Sequence, residues 1–327
     1  MKRLLSLALA ATTTFGAFAQ DFPSKPITIV VPFAAGGPTD IVARQLAESM
    51  RKHLNNVSIV VDNAAGAGGT IGAAKVARAA PDGQTLLVWH IGMAATAGLY
   101  RKLPYKPLED FEYLGMINDV PMTLLGSPKL PANTYRDFEN YIRANGGKLN
   151  LAHAGLGSAS HLCGLMWQSA VKLDKSMTTI AYRGTAPAMN DLIAGTVDVM
   201  CDQTTNTTAQ IEGGRVKAFA VTTAKPMSNH KLLKDYPTLQ EMGLKGFNLS
   251  IWHAMYAPKG TPPAVAKKLN DALRAALKDP DFIKKQEALG AIVVTDKRVE
   301  PAGHKAFVSS EITKLKTVID AAGQFAD

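Results

Sequence analysis

The stretch from Ile27 to Met50 reads ITIVVPFAAGGPTDIVARQLAESM and decides the fold. Residues 27–33 are a β-branched, apolar run of the kind found in buried strands. Residues 34–38, Ala-Ala-Gly-Gly-Pro, follow as a loop, and apolar side chains then recur at helical spacing at Ile41, Val42, Leu46 and Met50. The order strand, glycine loop and helix is the unit from which parallel α/β sheets are built.

The same unit recurs along the chain in two series. The first series continues with strand 57–61, loop 63–69, helix 70–79 and strand 85–89. The second series predicts strands at 120–126, 149–153, 178–181, 197–201 and 216–221, with helices at 134–144, 158–171, 187–194 and 205–212. A mixed segment at 247–256, a helix after Pro263, a short strand at 291–294 and a helix at 301–322 complete the chain.

Two series of units predict two lobes, each with its own mostly parallel sheet and its own core. We expect one lobe to contain residues 20–119 and 254–327 and the other residues 120–253. The chain would cross between them near 117–121 and return near 250–256. Two crossings predict a hinge with a ligand cleft between the lobes.

Composition and charge exclude several other classes of protein. The chain has 327 residues, of which 46% are hydrophobic and 19% charged, and its net charge is +9. This profile indicates a folded α/β protein rather than a disordered chain. The basic residues are scattered among acids and form no continuous stripe, which argues against nucleic-acid binding.

The first 19 residues have the order of a secretory signal peptide. Met1-Lys2-Arg3 is positively charged, an apolar run follows, and Ala17-Phe18-Ala19 matches the small-x-small cleavage pattern. No cysteine lies there for a lipid anchor, so we expect a periplasmic protein. The two cysteines, Cys163 and Cys201, fit either one disulfide or two buried thiols, and the apolar segments around them slightly favour free thiols.

Two glycine loops, one in each predicted lobe, are the best candidate ligand site. The first comprises Phe33, Ala34, Ala35 and Gly36 and is followed by Thr39 in a helix start; the second comprises residues 154–157 and leads into Ser158, Ala159 and Ser160. Glycines let the backbone approach a ligand, and helix starts provide unsatisfied N–H groups and partial positive charge. The hydroxyls of Thr39 and Ser158 would add donors, although both residue types are also common helix caps. Two such loops across a cleft predict a ligand with an acid group at each end.

Further candidates stand at other strand ends. They are Asn63, His90, Gly157, His161, Gly184, Thr185, Asp202 and Asn206. His90 is the best histidine donor for a carboxylate, and Asp202 either accepts a bond from a bound water or amine or caps the next helix. We expect no cofactor and no metal, because Ile71 replaces a glycine of the dinucleotide fingerprint and no histidine or cysteine spacing matches a metal site.

A hydrolase is the competing interpretation from another functional class. It would use Ser158 as nucleophile and His161 as base. The G-x-S-x-G elbow is absent, and a base three residues further along the same helix points poorly at the hydroxyl.

The chain resembles the Bug/TctC family, the extracytoplasmic solute receptors of tripartite tricarboxylate transporters. The likeness rests on residues 26–40, 61–69, 80–83, 103–105, 157–162, 182–184 and 256–258 and covers essentially the whole mature chain. It implies a two-lobed periplasmic binding protein of the Venus-flytrap type (type II-like), not an enzyme, that closes on an organic acid. The loops 33–40 and 155–161 would hold its carboxylates.

The same resemblance implies partners. The receptor would act as a monomer and deliver a di- or tricarboxylate to the membrane subunits of a tripartite tricarboxylate transporter. The weakly polar segments Ala34-Ala35 and 89–93 favour an aromatic dicarboxylate such as terephthalate. A lobe that signals to a sensor kinase would bind its ligand in the same way and stays an alternative.

Overall fold

The computed structural model describes residues 22–173 and 176–323. Its ten strands are β1 (Ile27–Val31), β2 (Ile59–Asn63), β3 (Thr85–His90), β4 (Phe111–Gly126), β5 (Asn150–His153), β6 (Thr178–Ala181), β7 (Val199–Gln203), β8 (Lys217–Val221), β9 (Ser250–Pro258) and β10 (Ile292–Val293). Its helices are α1 (Pro38–Arg51), α2 (Thr70–Ala77), α3 (Gly92–Leu99), α4 (Tyr135–Asn145), α5 (Ala159–Ala170), α6 (Thr185–Ala194), α7 (Thr204–Glu212), α8 (Pro263–Ala276), α9 (Pro280–Ala288) and α10 (Pro301–Ala322).

The strands lie in the order β2-β1-β3-β9-β4-β7-β5-β6, and β8 and β10 also pair with β4. The predicted units form the parallel parts of the sheet: β1 pairs in parallel with β2 and β3, and β5 with β6 and β7. The pairs that involve β4 or β9 are antiparallel. The carboxyl ends of the parallel strands, where the glycine loops begin, therefore face one cleft.

One long strand, β4, joins the two halves of the sheet. Its residues 111–121 pair with β9, whereas residues 122–126 pair with β7 and β8. Each half thus has its own sheet, as predicted, and β4 contributes to both, so the strand path is continuous through β4. The sequence pattern predicted only residues 120–126 as a strand, because Gly115 and the polar residues Asn118 and Asp119 interrupt the apolar run before them. In the structure Gly115 has a φ of +134°, and the register with β9 shifts beside it.

The hydrophobic core is also shared between the halves. One large cluster of buried side chains includes Val31 and Trp89 from the first half and Phe138 and Trp167 from the second. A smaller cluster around Met200 belongs to the second half alone. The expectation of an independent core in each lobe is therefore met only in part.

Two helices are absent from the sequence prediction. α3 is Gly-Met-Ala-Ala-Thr-Ala-Gly-Leu, which is almost entirely buried and so has no polar face to give a helical period. α9 is short and follows α8 closely, and Asp279 caps it by accepting from the N–H of Asp281. Neither segment was assigned a helix, because periodicity is weakest in short or fully buried helices.

Cys163 and Cys201 form a disulfide, with their Cα atoms 6.0 Å apart. The slight preference for free thiols was therefore wrong. α5 packs directly on β7, and this places the two side chains within bonding reach, which burial alone did not reveal.

The leader at 1–19 lies outside the described residues, and so does the predicted cleavage site. Among the described helices, none is long and apolar enough to cross a membrane.

Candidate functional site

A small cavity lies where helices from both halves of the chain begin. It is lined by Phe33, Pro38, Thr39, His90, Ala154, Ser158, Ala159, Ser160, Thr185 and Gln203. α1 begins at Pro38, α5 at Ala159 and α6 at Thr185, and Gln203 directly precedes α7. Four helices thus present their N-terminal ends to one enclosed space.

The electrostatics of this space favour an anion. Each helix N-terminus carries partial positive charge and N–H groups without an intrahelical partner. Among residues 22–173 and 176–323, no lysine or arginine lines the cavity. The positive potential therefore comes from backbone dipoles, as in other anion sites at helix starts.

Asp40 holds the first glycine loop in shape. Its carboxylate accepts hydrogen bonds from the Gly36 N–H at 2.9 Å, Arg44 Nε at 2.9 Å and Asn63 Nδ2 at 3.0 Å. Burial raises the pKa of Asp40, but these three partners outweigh it and hold the pKa below its usual value. Asn63 Nδ2 also donates to the carbonyl of Phe33, so this side chain braces the loop from behind.

Ser158 begins the second loop's helix and lines the cavity at the same time. Its Oγ accepts from the backbone N–H of His161 at 3.2 Å, which caps α5, and lies 3.1 Å from Ser160 Oγ. Ser160 Oγ in turn accepts from the N–H of Ala154 at 2.9 Å. From the sequence, Ser158 was either a helix cap or a ligand contact. The structure lets one side chain do both, because Ser158 caps α5 and also lines the cavity.

His90 presents a neutral imidazole to the cavity. Its Nδ1 accepts from the Gly92 N–H at 2.9 Å, so the ring proton is on Nε2, where it is a donor. Burial lowers the pKa of His90 to about 3, which keeps the ring uncharged at neutral pH. The ring also stacks on Phe33 with centroids 4.9 Å apart, and the pair forms an apolar wall.

Asp202 lies behind the wall at the end of β7 and is fully buried. Its Oδ2 accepts from Asn206 Nδ2 at 2.6 Å, and Oδ1 has no hydrogen-bond partner among the described residues. Burial raises the pKa of Asp202 to about 7, although the hydrogen bond from Asn206 and the nearby Gln203 N–H and Thr185 hydroxyl act in the opposite direction.

The two halves touch around the cavity, so the structure is closed. The Ala34 N–H donates to the carbonyl of Arg183 at 3.0 Å. On the other side, Tyr100 Oη lies 2.9 Å from the carbonyl oxygen of Ala67 and 3.2 Å from that of Leu156. Gly68 lies under this bridge with a φ of +63°, and a Cβ there would come within 1.8 Å of the Leu156 oxygen.

The predicted site residues divide into two groups. Those in the cavity wall are Phe33, Thr39, His90, Ser158, Ala159 and Thr185. Those beside or behind the wall are Ala34, Ala35, Gly36, Asn63, Gly157, His161, Gly184, Asp202 and Asn206. Ala35 and Gly36 are exposed, and the Gly36 amide that was expected to face a ligand is turned towards Asp40 instead.

Four wall residues were not among the candidates: Pro38, Ala154, Ser160 and Gln203. A signal existed for Gln203, because successive side chains of a strand point to opposite sides. Asp202 and Gln203 therefore could not both face the cleft. Asp202 was the predicted residue, whereas Gln203 lines the cavity. The other three lie inside stretches already identified as glycine loops and helix starts.

The hydrolase arrangement is absent. Ser158 Oγ accepts from the backbone N–H of His161, and the Nδ1 of that imidazole faces the Gly157 N–H at 3.4 Å. A general base must instead accept the proton of the serine hydroxyl.

Comparison with known proteins finds relatives along almost the whole chain. Residues 42–324 match the tripartite tricarboxylate transporter family receptor. The periplasmic binding protein BugD is 47% identical, with a TM-score of 0.90 over 94% of this chain and 100% of that one. MatC from Rhodopseudomonas palustris, solved with bound malate, is 38% identical, with a TM-score of 0.86 over 91% and 100% of the two chains. The R. palustris protein Rpa4515, solved with adipate, is 32% identical, with a TM-score of 0.86 over 93% and 99%.

The fold is thus the two-domain α/β fold of periplasmic binding proteins, a curled sheet flanked by helices. The resemblance seen in the sequence is confirmed across most of the chain, and the family consists of binding proteins rather than enzymes. The chain belongs to the Bug/TctC family, the periplasmic solute-binding receptors of tripartite tricarboxylate transporters.

Proposed function

We propose that this receptor captures a dicarboxylate in the cavity and delivers it to the membrane subunits of a tripartite tricarboxylate transporter. The observation that carries the proposal is the convergence of four helix N-termini on one enclosed space without a cationic side chain in its described wall. An enclosed carboxylate needs several donors, and hydrogen bonds to a charged group contribute about 1.5–3 kcal/mol each.

The wall residues are arranged to grip two acid groups. The first-turn N–H groups of α1, together with the loop 33–38, would hold one carboxylate. Ser158 and Thr185, at the starts of α5 and α6, would hold the other. His90 would donate from Nε2. Ala34, Gly157 and Gly184 shape the loops, whereas Asn63, His161, Asp202 and Asn206 support them from behind.

A short aliphatic dicarboxylate is our first candidate ligand. Malate is bound to MatC and adipate to Rpa4515, both of the same family. An aromatic dicarboxylate such as terephthalate is the second candidate, because the stacked Phe33–His90 pair offers a flat apolar wall.

Closure would couple capture to delivery. We propose that the lobes comprise residues 20–119 with 254–327 and residues 120–253, after removal of a leader at 1–19, and that the receptor acts in the periplasm as a monomer. The change of partner along β4 after Pro121 supports a hinge near these boundaries. A ligand that contacts both lobes stabilises only the closed form, which the transporter would then recognise.

A ligand panel tests the proposal. Purified protein is titrated calorimetrically with malate, succinate, adipate and terephthalate, and with acetate and benzoate as matched acids that have one carboxylate. We expect at least one dicarboxylate to bind at least about tenfold more tightly than either monoacid, because only it contacts both lobes. Equal binding of mono- and dicarboxylates would contradict the two-ended site.

Delivery needs a separate measurement. Uptake of the labelled ligand into cells or vesicles that contain the transporter's membrane subunits should require this protein. Binding without any effect on uptake would favour the alternative of a receptor that signals to a sensor kinase.

A further inference from the structure

A chain of hydrogen bonds, mostly buried, leads away from the cavity behind Thr39 and returns to α1. Thr39 Oγ1 lies 3.2 Å from His253 Nε2, and His253 Nδ1 lies 2.9 Å from Asn118 Oδ1. The chain continues through Gln286 and ends at Gln45 on α1. It passes through β9 at His253 and β4 at Asn118, the two strands that cross between the halves.

The direction of this chain assigns the hydrogen atoms. Asn118 Nδ2 donates to Gln286 Oε1 at 2.6 Å, and Gln286 Nε2 donates to Gln45 Oε1 at 2.6 Å. Asn118 therefore turns its oxygen, an acceptor, towards His253 Nδ1, so this nitrogen carries the imidazole proton. Burial holds the pKa of His253 well below its usual value, so the ring is neutral and Nε2 is an acceptor.

The hydroxyl proton of Thr39 is consequently used inside the protein. Its Oγ1 donates to His253 Nε2, and only its lone pairs remain for a molecule in the cavity. From the sequence alone this hydroxyl was predicted to donate to a carboxylate, whereas in the structure it is left as an acceptor towards the cavity. An acceptor in a buried wall repels a carboxylate oxygen and attracts a hydrogen-bond donor.

We propose that Thr39 Oγ1 is a specificity-determining acceptor that selects dicarboxylates with a hydroxyl or ammonium group on the carbon next to one carboxylate. The start of α1 offers a hydrogen-bond acceptor and hydrogen-bond donors side by side. The Thr39 hydroxyl oxygen accepts, and the first-turn N–H groups of α1 donate. A 2-hydroxy or 2-amino acid matches this pair, because its carboxylate and its donor group are neighbours. An unsubstituted dicarboxylate leaves the Thr39 oxygen unpaired, which a buried site penalises.

The inference rests on the proposed dicarboxylate function and narrows its ligand. Malate, aspartate and succinate share a four-carbon backbone and differ only in a hydroxyl, an ammonium or neither. Calorimetric Kd values for these three, with both enantiomers of malate and aspartate, are compared for the wild-type protein, Thr39→Ser and Thr39→Val. Valine keeps the shape of threonine and removes the acceptor.

We expect the wild type to bind one of the substituted acids about tenfold or more tighter than succinate. If the tighter ligand is malate, the donor group is a hydroxyl; if it is aspartate, the donor group is an ammonium. Thr39→Ser should retain this preference, and Thr39→Val should reduce the Kd ratio to about 1, whatever the change in absolute affinity. Equal wild-type affinity for all three acids, or an unchanged ratio in Thr39→Val, would overturn the inference. If no dicarboxylate bound at all, the proposed function itself would fail.

Side-chain 15N NMR provides a readout without ligand. The spectrum of His253 should show the proton on Nδ1 and an unprotonated Nε2. A proton on Nε2 would mean that the chain runs in the reverse direction, with Thr39 as a donor, and would also overturn the inference.

Discussion

Ser158 combines two roles that can be separated by experiment. Ser158→Ala removes a hydroxyl from the cavity wall and a cap from α5. We expect the Kd for the best ligand to rise by the equivalent of about 1–3 kcal/mol, and the melting temperature to fall slightly because the cap is lost. Calorimetry and thermal unfolding measure the two effects.

Thr134→Ala is the matched control for this change. Thr134 caps α4 by accepting from the Asp137 N–H, and it does not line the cavity. It should lower the melting temperature by a similar amount and leave ligand affinity unchanged. If Ser158→Ala behaved like Thr134→Ala in both assays, Ser158 would be a cap only.

At the scale of single residues, the sequence predicts only those site residues whose position follows from a local sequence pattern. Phe33 and Ser158 follow from strand, glycine loop and helix start, which are contiguous in the chain. The hydrogen-bond polarity of Thr39 does not, because it depends on His253 and Asn118, which are distant in sequence and meet it only through the sheet.

Among the elements, the glycine loops decide how closely the halves approach. Gly68→Ala places a Cβ against the Leu156 carbonyl, so the closed form should be destabilised selectively. We expect ligand affinity to fall at least about tenfold, which corresponds to about 1.4 kcal/mol. Small-angle scattering should show that saturating ligand compacts the variant less than the wild type.

Gly214→Ala isolates the contribution of backbone strain. Gly214 has a φ of +62°, nearly that of Gly68, but nothing lies within 4 Å of the Cβ that alanine would add. It should lose a similar amount of stability and retain affinity. Equal loss of affinity in both variants would show that the clash with Leu156 does not matter.

Prediction of elements succeeded where apolar residues recur with a clear period and failed where the environment is uniform. β1 with α1 and β5 with α5 are examples of the first kind. α3 is buried on nearly all sides, and the first half of β4 is interrupted by Gly115 and by polar side chains that the neighbouring strands bury. Such environments exist only after the lobes have assembled.

At the scale of the whole molecule, Asp202 links stability to pH. Its folded pKa of about 7 is above the ordinary value of 3.8, because burial disfavours the charged form. The folded protein therefore holds a proton between about pH 4 and pH 7 that the unfolded chain has lost. This contribution to stability is present in full below about pH 4, is lost progressively as the pH rises towards 7, and is absent above that pH.

Asp202→Asn should remove this dependence. Relative to the wild type, the free energy of unfolding of the variant should rise from pH 5 to pH 8 by a few kcal/mol, at about 1.4 kcal/mol per pKa unit. Four buried histidines whose pKa is lowered, His90, His153, His253 and His304, act in the opposite sense in both proteins, so the difference isolates Asp202.

Denaturant unfolding at several pH values measures this difference. Asp271→Asn, which removes a carboxylate from an exposed pair with Lys267, should follow the wild-type curve. A constant difference between Asp202→Asn and the wild type across this range would show that Asp202 titrates at its ordinary pKa.

Strand β4, which both halves share, separates the part of the overall architecture that the sequence predicts from the part that it does not. Two series of units indicate two lobes, but no local feature indicates that one strand serves both. That connection is a property of long-range pairing, which a single sequence does not display.

The four helix N-termini at the cavity affect how the ligand specificity of such a receptor can change. Peptide dipoles persist under almost any substitution of a neighbouring side chain, since they belong to the main chain. Replacing Phe33, Thr39 or Gln203 would thus alter which acid fits while the attraction for negative charge remained. Selectivity can be redesigned here by exchanging a few wall residues, without having to rebuild the means of holding an anion.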